Sequence, residues 1–249
     1  MVNLKSESEI KIMIEGGRRL KEVVAELMPQ IKAGVTTLAL DEEAERLIKK
    51  FGGQSSFKRV QGYSWSTCIP INEEIVHTPP SKRLIKNGDV VTMDIGIYYQ
   101  GFHVDYADTV VVGPAKPEVK RFLEVGKSTL QKSIEQAKVG NYLGDISKVL
   151  ETGIEGAGYF IARELTGHGV GRELHEEPYI PGYLNKDRHK TMKIVPGLVI
   201  AIEAIYSRGS RDIMYDPTEE WSILSADRSL SACFEHTVAI TRQGSLVIT

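Results

Sequence analysis

Gly88–Val110 reads GDVVTMDIGIYYQGFHVDYADTV. Two strand-like apolar runs flank the turn residues around Gln100-Gly101, which predicts an antiparallel hairpin. Each run carries a carboxylate where an apolar residue is expected: Asp94 in VVTMDIG and Asp105 in FHVDYA. With a four-residue loop at Tyr98–Gly101, Asp94 and Asp105 fall directly opposite each other. Like charges in that position repel. A carboxylate inside an apolar strand is also costly unless it is paired or binds a metal. A cation between the two would remove both objections.

The same anomaly recurs downstream. Glu203 interrupts LVIAIEAIY and Glu235 sits in ACFEHTVAI. One such residue alone is better read as a buried ion pair or a strand-edge position; repetition on three strands changes that weighting. Asp94, Asp105, Glu203 and Glu235 together carry a charge of −4, which two divalent ions would balance. Carboxylates can bridge metals, and two-metal hydrolytic sites hold their ions about 3.5–4 Å apart. An imidazole would complete the set, because mixed nitrogen and oxygen donors suit first-row divalent metals. TGHGVGRELHEEP, Thr166–Pro178, is a glycine-rich loop that could bring His168 there. No HExxH is present, so a helix-borne single-zinc site is not indicated.

Around these strands the chain alternates helix pairs with strands. Ser6 and Glu9 form a capping box, and Ile10, Met13, Ile14, Leu20, Val24 and Leu27 follow at helical spacing. A second helix is predicted from Thr37 to the Gly52-Gly53 stop, a third from Pro117 to about Ala137, and a shorter one over Leu143–Gly153. Strands are predicted over 66–78, 89–112, Leu198–Ser207 and Cys233–Thr241. This order predicts an α+β fold with segregated layers. The halves, about 1–113 and 114–249, read as an internal repeat within one domain. GDVVTMD (88–94) parallels GLVIAIE (197–203), and Leu40, Ala44 and Ile48 match Ile146, Leu150 and Ile154. A pseudo-twofold would then place Asp94 and Glu203 at equivalent positions.

The 249 residues are 41% hydrophobic with a net charge of −2, and Lys and Arg are scattered. Nucleic-acid binders need a clustered basic face, so no nucleic-acid partner is expected. The N-terminus has no apolar signal region, and no apolar run approaches the roughly 20 residues of a membrane span. Cys68 and Cys233 make no secreted disulfide framework. These features predict a cytoplasmic monomer.

DIGIYYQGFHVDYADT, GHGVGRELHEEP and DRSLSACFEHTVAIT agree in order and spacing with one family. Over nearly its whole length the chain resembles the methionine aminopeptidases of the bacterial type I class. That resemblance implies the pita-bread fold, an antiparallel sheet covered by helices on its outer face, with pseudo-twofold halves. It implies that Asp94, Asp105, His168, Glu203 and Glu235 ligate two divalent ions, with Co, Mn, Fe, Ni or Zn all compatible. It implies that His77 and His175 contact the substrate and that Glu203 shuttles a proton from metal-bound water. It also implies that Tyr63, Cys68, Leu174 and Trp221 line a methionine pocket. The activity implied is removal of N-terminal methionine from peptides and nascent chains, at the ribosome in this family, when the second residue is small. His103, His189 and His236 gain no such support and read as structural or surface residues. Gly167, Gly169 and Gly171 are expected to let the backbone pass close to the metals.

The chain departs from the pattern in places. Ala204 follows Glu203 where proline is usual, Leu174 stands where an aromatic is common, and Thr-Pro-Pro follows His77. Ser207–Glu220 matches no family pattern and reads as a loop near Trp221. Two rivals are an X-prolyl aminopeptidase or prolidase, whose chains carry an additional N-terminal domain, and a non-catalytic binding module, which would have lost metal ligands.

Overall fold

The computed structural model describes residues 2–249. Helix α1 spans Glu7–Leu27, α2 Thr37–Lys50, α3 Pro117–Ile134 and α4 Leu143–Glu155. The Ser6–Glu9 capping box is formed at the start of α1. The face of α1 toward the core comprises Ile10, Met13, Leu20, Val23 and Leu27, while Ile14 is largely exposed and Val23 takes the place expected of Val24.

The strands are β1 Gln54–Ser55, β2 Thr67–Cys68, β3 Glu74–Val76, β4 Val90–Tyr99, β5 Phe102–Val111, β6 Phe160–Ile161, β7 Thr166–Gly169, β8 Glu176–Pro181, β9 Val199–Ser207, β10 Ile213–Tyr215, β11 Ile223–Ser225, β12 Ser231–Thr241 and β13 Gly244–Val247. The main antiparallel sheet runs β1-β4-β5-β12-β9-β7-β8, with β2 also on β4, β6 on β9 and β13 on β12. It is symmetric about the central β5–β12 pair. Outward from that pair, β4 bears β1 and β2, while β9 bears β6 and β7. Each half supplies two helices, a two-residue strand and a long central strand, in that order. The α+β class and the related halves are therefore visible in the topology.

Strand periodicity separates two faces. Val91, Met93, Ile95 and Ile97 of β4 join the core under α1 and α2. Ile200, Ile202, Ala204 and Tyr206 of β9, with Ala232, Phe234, Val238 and Ile240 of β12, join the core under α3 and α4. All four helices cover this one face. The alternate residues, among them Asp94, Asp105, Glu203 and Glu235, project from the other. Among the described residues no helix is long and apolar enough to cross a membrane.

The hairpin register differs from the sequence expectation. The turn is Gln100-Gly101 alone, with Tyr99 opposite Phe102. Both turn residues have positive φ, 47° and 93°, the combination that two-residue hairpin turns require. Asp94 therefore lies opposite Ala107 and Asp105 opposite Gly96. This slide of two positions leaves both aspartates on the same face as diagonal neighbours; a slide of one would have sent them to opposite faces. Ser207–Glu220 is also not simply a loop. Ser207 ends β9, and β10 pairs with β11, which pairs with β3 in a separate three-stranded sheet.

Candidate metal centre and cleft

Register alone assembles the acidic face. Cys68 is opposite Asp94, Asp94 opposite Ala107, Ala107 opposite Glu235 and Glu235 opposite Glu203, so the five strands β2, β4, β5, β12 and β9 contribute one continuous row. Asp94 and Glu203 each stand one strand outward from the central pair, as the repeat requires. The next row along, two residues away, brings in Gly96 opposite Asp105 and Thr237 opposite Ala201, with His168 on the far side of Ala201. Thr237 joins the central strands here. Its Oγ1 accepts from the Asp105 N–H and donates to the Asp105 carbonyl, 2.9 Å each. The positions between the acids are small: Ala107, Gly96 and Ala201. At Gly96 a Cβ would strike Ser56 Cβ at 2.7 Å and come within 3.2 Å of Asp105 Oδ1, so glycine makes room for both side chains.

The ligand-type atoms of Asp105, His168 and Glu235 lie within 4.8 Å of one another. His168 Nε2 is 3.5 Å from Glu203 Oε1. His168 Nδ1 donates to the Gly169 carbonyl at 2.8 Å, which fixes the tautomer and leaves the Nε2 lone pair facing the acids. Burial, with His175 nearby, holds the imidazole neutral, its pKa pushed down to about 3. Burial pushes Asp94, Glu203 and Glu235 well above the carboxylate range, and the Asp105 charge adds to each. Asp105 itself is pushed up to about 7 by burial, against the Tyr106 N–H that it accepts. Glu235 Oε1 is buried with no hydrogen-bond partner. Asp105 and Glu235, the latter with an orphaned oxygen, held this close to a neutral imidazole with a free nitrogen, with Glu203 beside that imidazole and Asp94 in the same strand row, fit divalent metal ions.

The acids floor a cleft of about 270 Å³, and all eleven residues expected at the site line it. Tyr63, Cys68 and Leu174 pack together at one end with Phe57, and Val60, Trp65 and Trp221 pack against them. The Tyr63 hydroxyl donates to the Thr67 carbonyl at 2.8 Å and lies 3.1 Å from Cys68 Sγ. Trp221 meets the Tyr63 ring edge-on at 5.2 Å between centroids. His77 follows β3 with a left-handed backbone, φ 61°, sparsely populated for a non-glycine residue. His175 immediately precedes β8, and its ring meets that of His168 edge-on at 4.4 Å. Both His77 and His175 are exposed to the cleft. His103 is buried with Nδ1 2.9 Å from Ser56 Oγ, His236 is partly buried, and His189 is exposed.

The loop glycines serve a different contact from the one expected. A Cβ at Gly167 would strike the Ala201 carbonyl, one at Gly169 the Glu176 and Glu177 carbonyls, and one at Gly171 Lys5. They let β7 wedge between neighbouring strands; the close approach is protein on protein. Ala204 is buried opposite Phe234, so the ladder to β12 holds Glu203 without the usual proline.

Phe57, Val60, Val76, Glu164, Leu165, Thr166, Tyr179, Ile205 and Cys233 also line the cleft and escaped the sequence reading. Three of them had a usable signal. Cys233, Ile205 and Thr166 stand two residues from Glu235, Glu203 and His168, so strand periodicity puts them on the same face. Phe57 and Val60 lie in and after an isolated 3₁₀ turn that has no periodic signature.

The model of metallopeptidase family M24 matches residues 11–242. Methionine aminopeptidase 1 of Bacillus subtilis is 40% identical over 249 residues, covering 100% of this chain and 99% of that protein. A solved methionine aminopeptidase from Thermotoga maritima superposes with a TM-score of 0.95 at 34% identity, covering 100% and 99%. A prolidase from Pyrococcus furiosus superposes at 0.80 with 24% identity, and only 65% of its chain is covered. A family-wide match, full-length identity to one branch and a buried acidic site of the right donors lead to one assignment: the chain belongs to metallopeptidase family M24, in the branch of the methionine aminopeptidases.

Proposed function

We propose that the protein removes N-terminal methionine from peptides and nascent chains whose second residue is small, using two divalent ions. The carrying observation is that the five ligand-type side chains line the same cleft as the apolar cluster of Tyr63, Cys68, Leu174, Trp221 and Phe57. Asp94, Asp105, His168, Glu203 and Glu235 would hold the ions. Their oxygen-rich set with one imidazole accepts Co, Mn, Fe, Ni or Zn. Ions bound there supply Lewis acidity and make a nearby water easier to deprotonate.

The remaining work falls to the chain's own groups. The aromatic pocket takes the methionine side chain, whose sulfur gains modestly from ring edges. His77 and His175 donate to the substrate carbonyl as charge develops on its oxygen. Glu203, which would ligate an ion and keep an oxygen free, holds the proton taken from the attacking water. Cys233, Ile205 and Thr166 wall the cleft beyond the acids and restrict the second residue to small side chains. The protein is expected to act as a monomer in the cytoplasm.

The test is metal analysis of protein purified without added metal, paired with an assay of Met-Ala-Ser and Ala-Pro across the five metals. Metal-dependent release of methionine is expected. Cleavage of Ala-Pro alone, or release of methionine without any divalent ion, would overturn the reading.

A further inference from the structure

Lys5 is the one Lys or Arg that is buried among the described residues. Its ammonium meets Glu176 Oε2 at 2.5 Å, and both side chains are only 3% exposed. The Lys5 ammonium also donates to the Asn3 carbonyl at 2.9 Å, and the Lys5 backbone N–H donates to the Gly197 carbonyl at 2.7 Å. The N-terminal segment is thereby stitched to the end of the main sheet. Burying an ammonium is costly, and a buried ion pair is weak grounds for stability alone. Its placement points to another purpose.

Glu176 immediately follows His175. Its second oxygen, Oε1, accepts the Glu173 N–H at 3.1 Å. One carboxylate therefore closes the turn Gly171–His175 on itself and ties it to Lys5. The turn has other holds as well: Arg172 pairs with Glu9 at 2.6 Å and lies over the Phe102 ring, and Leu174 is buried with Phe57, Tyr63 and Cys68, but none of these holds the Glu176 carboxylate beside His175. His103 N–H donates to the Gly171 carbonyl at 2.6 Å, and Gly171 N–H donates to the Glu173 carbonyl at 3.0 Å. The Lys5 stem fills the space where a Gly171 side chain would be. Gly171 leaves the start of this turn little stiffness of its own. A ring that must donate to a substrate at a fixed distance needs that stiffness supplied from outside.

We propose that the Lys5–Glu176 pair is a positioning device for His175, with Lys5 setting the turn that aims the imidazole at the substrate. This rests on the reading of His175 as a substrate contact. A structural anchor would lower the melting temperature when removed and leave turnover per folded molecule unchanged. A positioning device affects kcat.

The experiment uses full-length metal-loaded protein with Met-Ala-Ser as substrate, and compares wild type, Lys5→Met, Lys5→Arg and a Lys5→Met/Glu176→Met double variant. Metal content, melting temperature, kcat and KM are read for each, with amide exchange of residues 170–175. Lys5→Met is expected to keep its metal, lose at least tenfold in kcat with KM within threefold, and exchange faster in that turn. Lys5→Arg, which restores the cation, is expected to recover most of kcat. The double variant removes the unpaired charge and is expected to regain stability without regaining kcat, since it lacks Lys5 and also loses the Glu176 acceptor of the Glu173 N–H. It also keeps the test alive if Lys5→Met does not fold. Wild-type kcat in folded Lys5→Met, loss of metal from it, or recovery of kcat together with stability in the double variant would each overturn the proposal. An inactive wild type would instead overturn the methionine aminopeptidase reading, and unchanged exchange in the 170–175 turn of Lys5→Met would still count against Lys5.

Discussion

The floor of the cleft and its rim are built in different ways. On the floor, Asp94, Asp105, Glu203 and Glu235 stand on β4, β5, β9 and β12, the strands that lie at the centre of the sheet. Each of these strands is bonded on both sides, so register alone fixes each acid. On the rim, His77 follows a three-residue strand of the small second sheet, His175 precedes β8 at the end of a glycine-rich turn, and Trp221 lies between the short strands β10 and β11. Their positions depend on tertiary contacts such as the Tyr63–Trp221 edge and the Lys5–Glu176 pair. The groups proposed to hold metal ions sit on strands paired on both sides. The groups proposed to contact the peptide sit on loops and short strands with fewer ladder partners.

The sharpest way to break this division is to remove an acid from the floor. Asp105→Asn keeps the shape but deletes a charge. Since even residues that merely support metal ligands cost about 10–100-fold in affinity, a loss of at least ~100-fold in metal binding is expected. Activity should fall with it while the circular dichroism spectrum stays native. Titration with Mn or Co would measure the affinity. On the rim, His175→Ala is expected to keep wild-type metal stoichiometry and lose about 10²–10³ in turnover, the scale of a deleted oxyanion donor. Reduced metal content in that variant would move His175 onto the floor and erase the distinction.

A pH experiment sharpens the floor alone. The Asp105 carboxyl is pushed up to about 7 in the folded protein, against about 4 in an unfolded chain. Between those values the folded state binds more protons than the unfolded one, so stability falls as pH rises. Metal-free protein should therefore lose melting temperature from pH 4 to pH 7. The other floor acids, raised in the same direction, should continue the trend. Loading with divalent metal should flatten or reverse the slope, and scanning calorimetry with and without a chelator would show it. The smallest effect belongs to the pocket. Leu174→Ala enlarges one apolar wall and is expected to lower kcat/KM for methionine substrates roughly tenfold, mainly through KM, with metal binding unchanged.

The floor was legible because its signal is local and periodic. A carboxylate in VVTMDIG, LVIAIEAIY or ACFEHTVAI is anomalous whatever the rest of the chain does, and period two says that such residues share a face. The same periodicity, carried two residues further, reaches Ile205, Cys233 and Thr166. The hairpin register is not legible in the sequence, because four-residue and two-residue turns both fit Tyr98–Gly101. The choice rests on the positive φ of Gln100, which is not a glycine. The rim was legible only through resemblance to a family. Nothing local in the sequence around His77, Trp221 or Phe57 says which cleft they enter.

By itself, the sequence determined the element order, the two-faced strands and the four acids, because burial cost and strand pleat act within a few residues. The tertiary structure alone decided which acids stand in the same row, where the loop glycines press, and that Lys5, next to the N-terminus, reaches the residue after His175. Those outcomes depend on strand register and on pairs as distant as Lys5 and Glu176, and no window of sequence contains both partners.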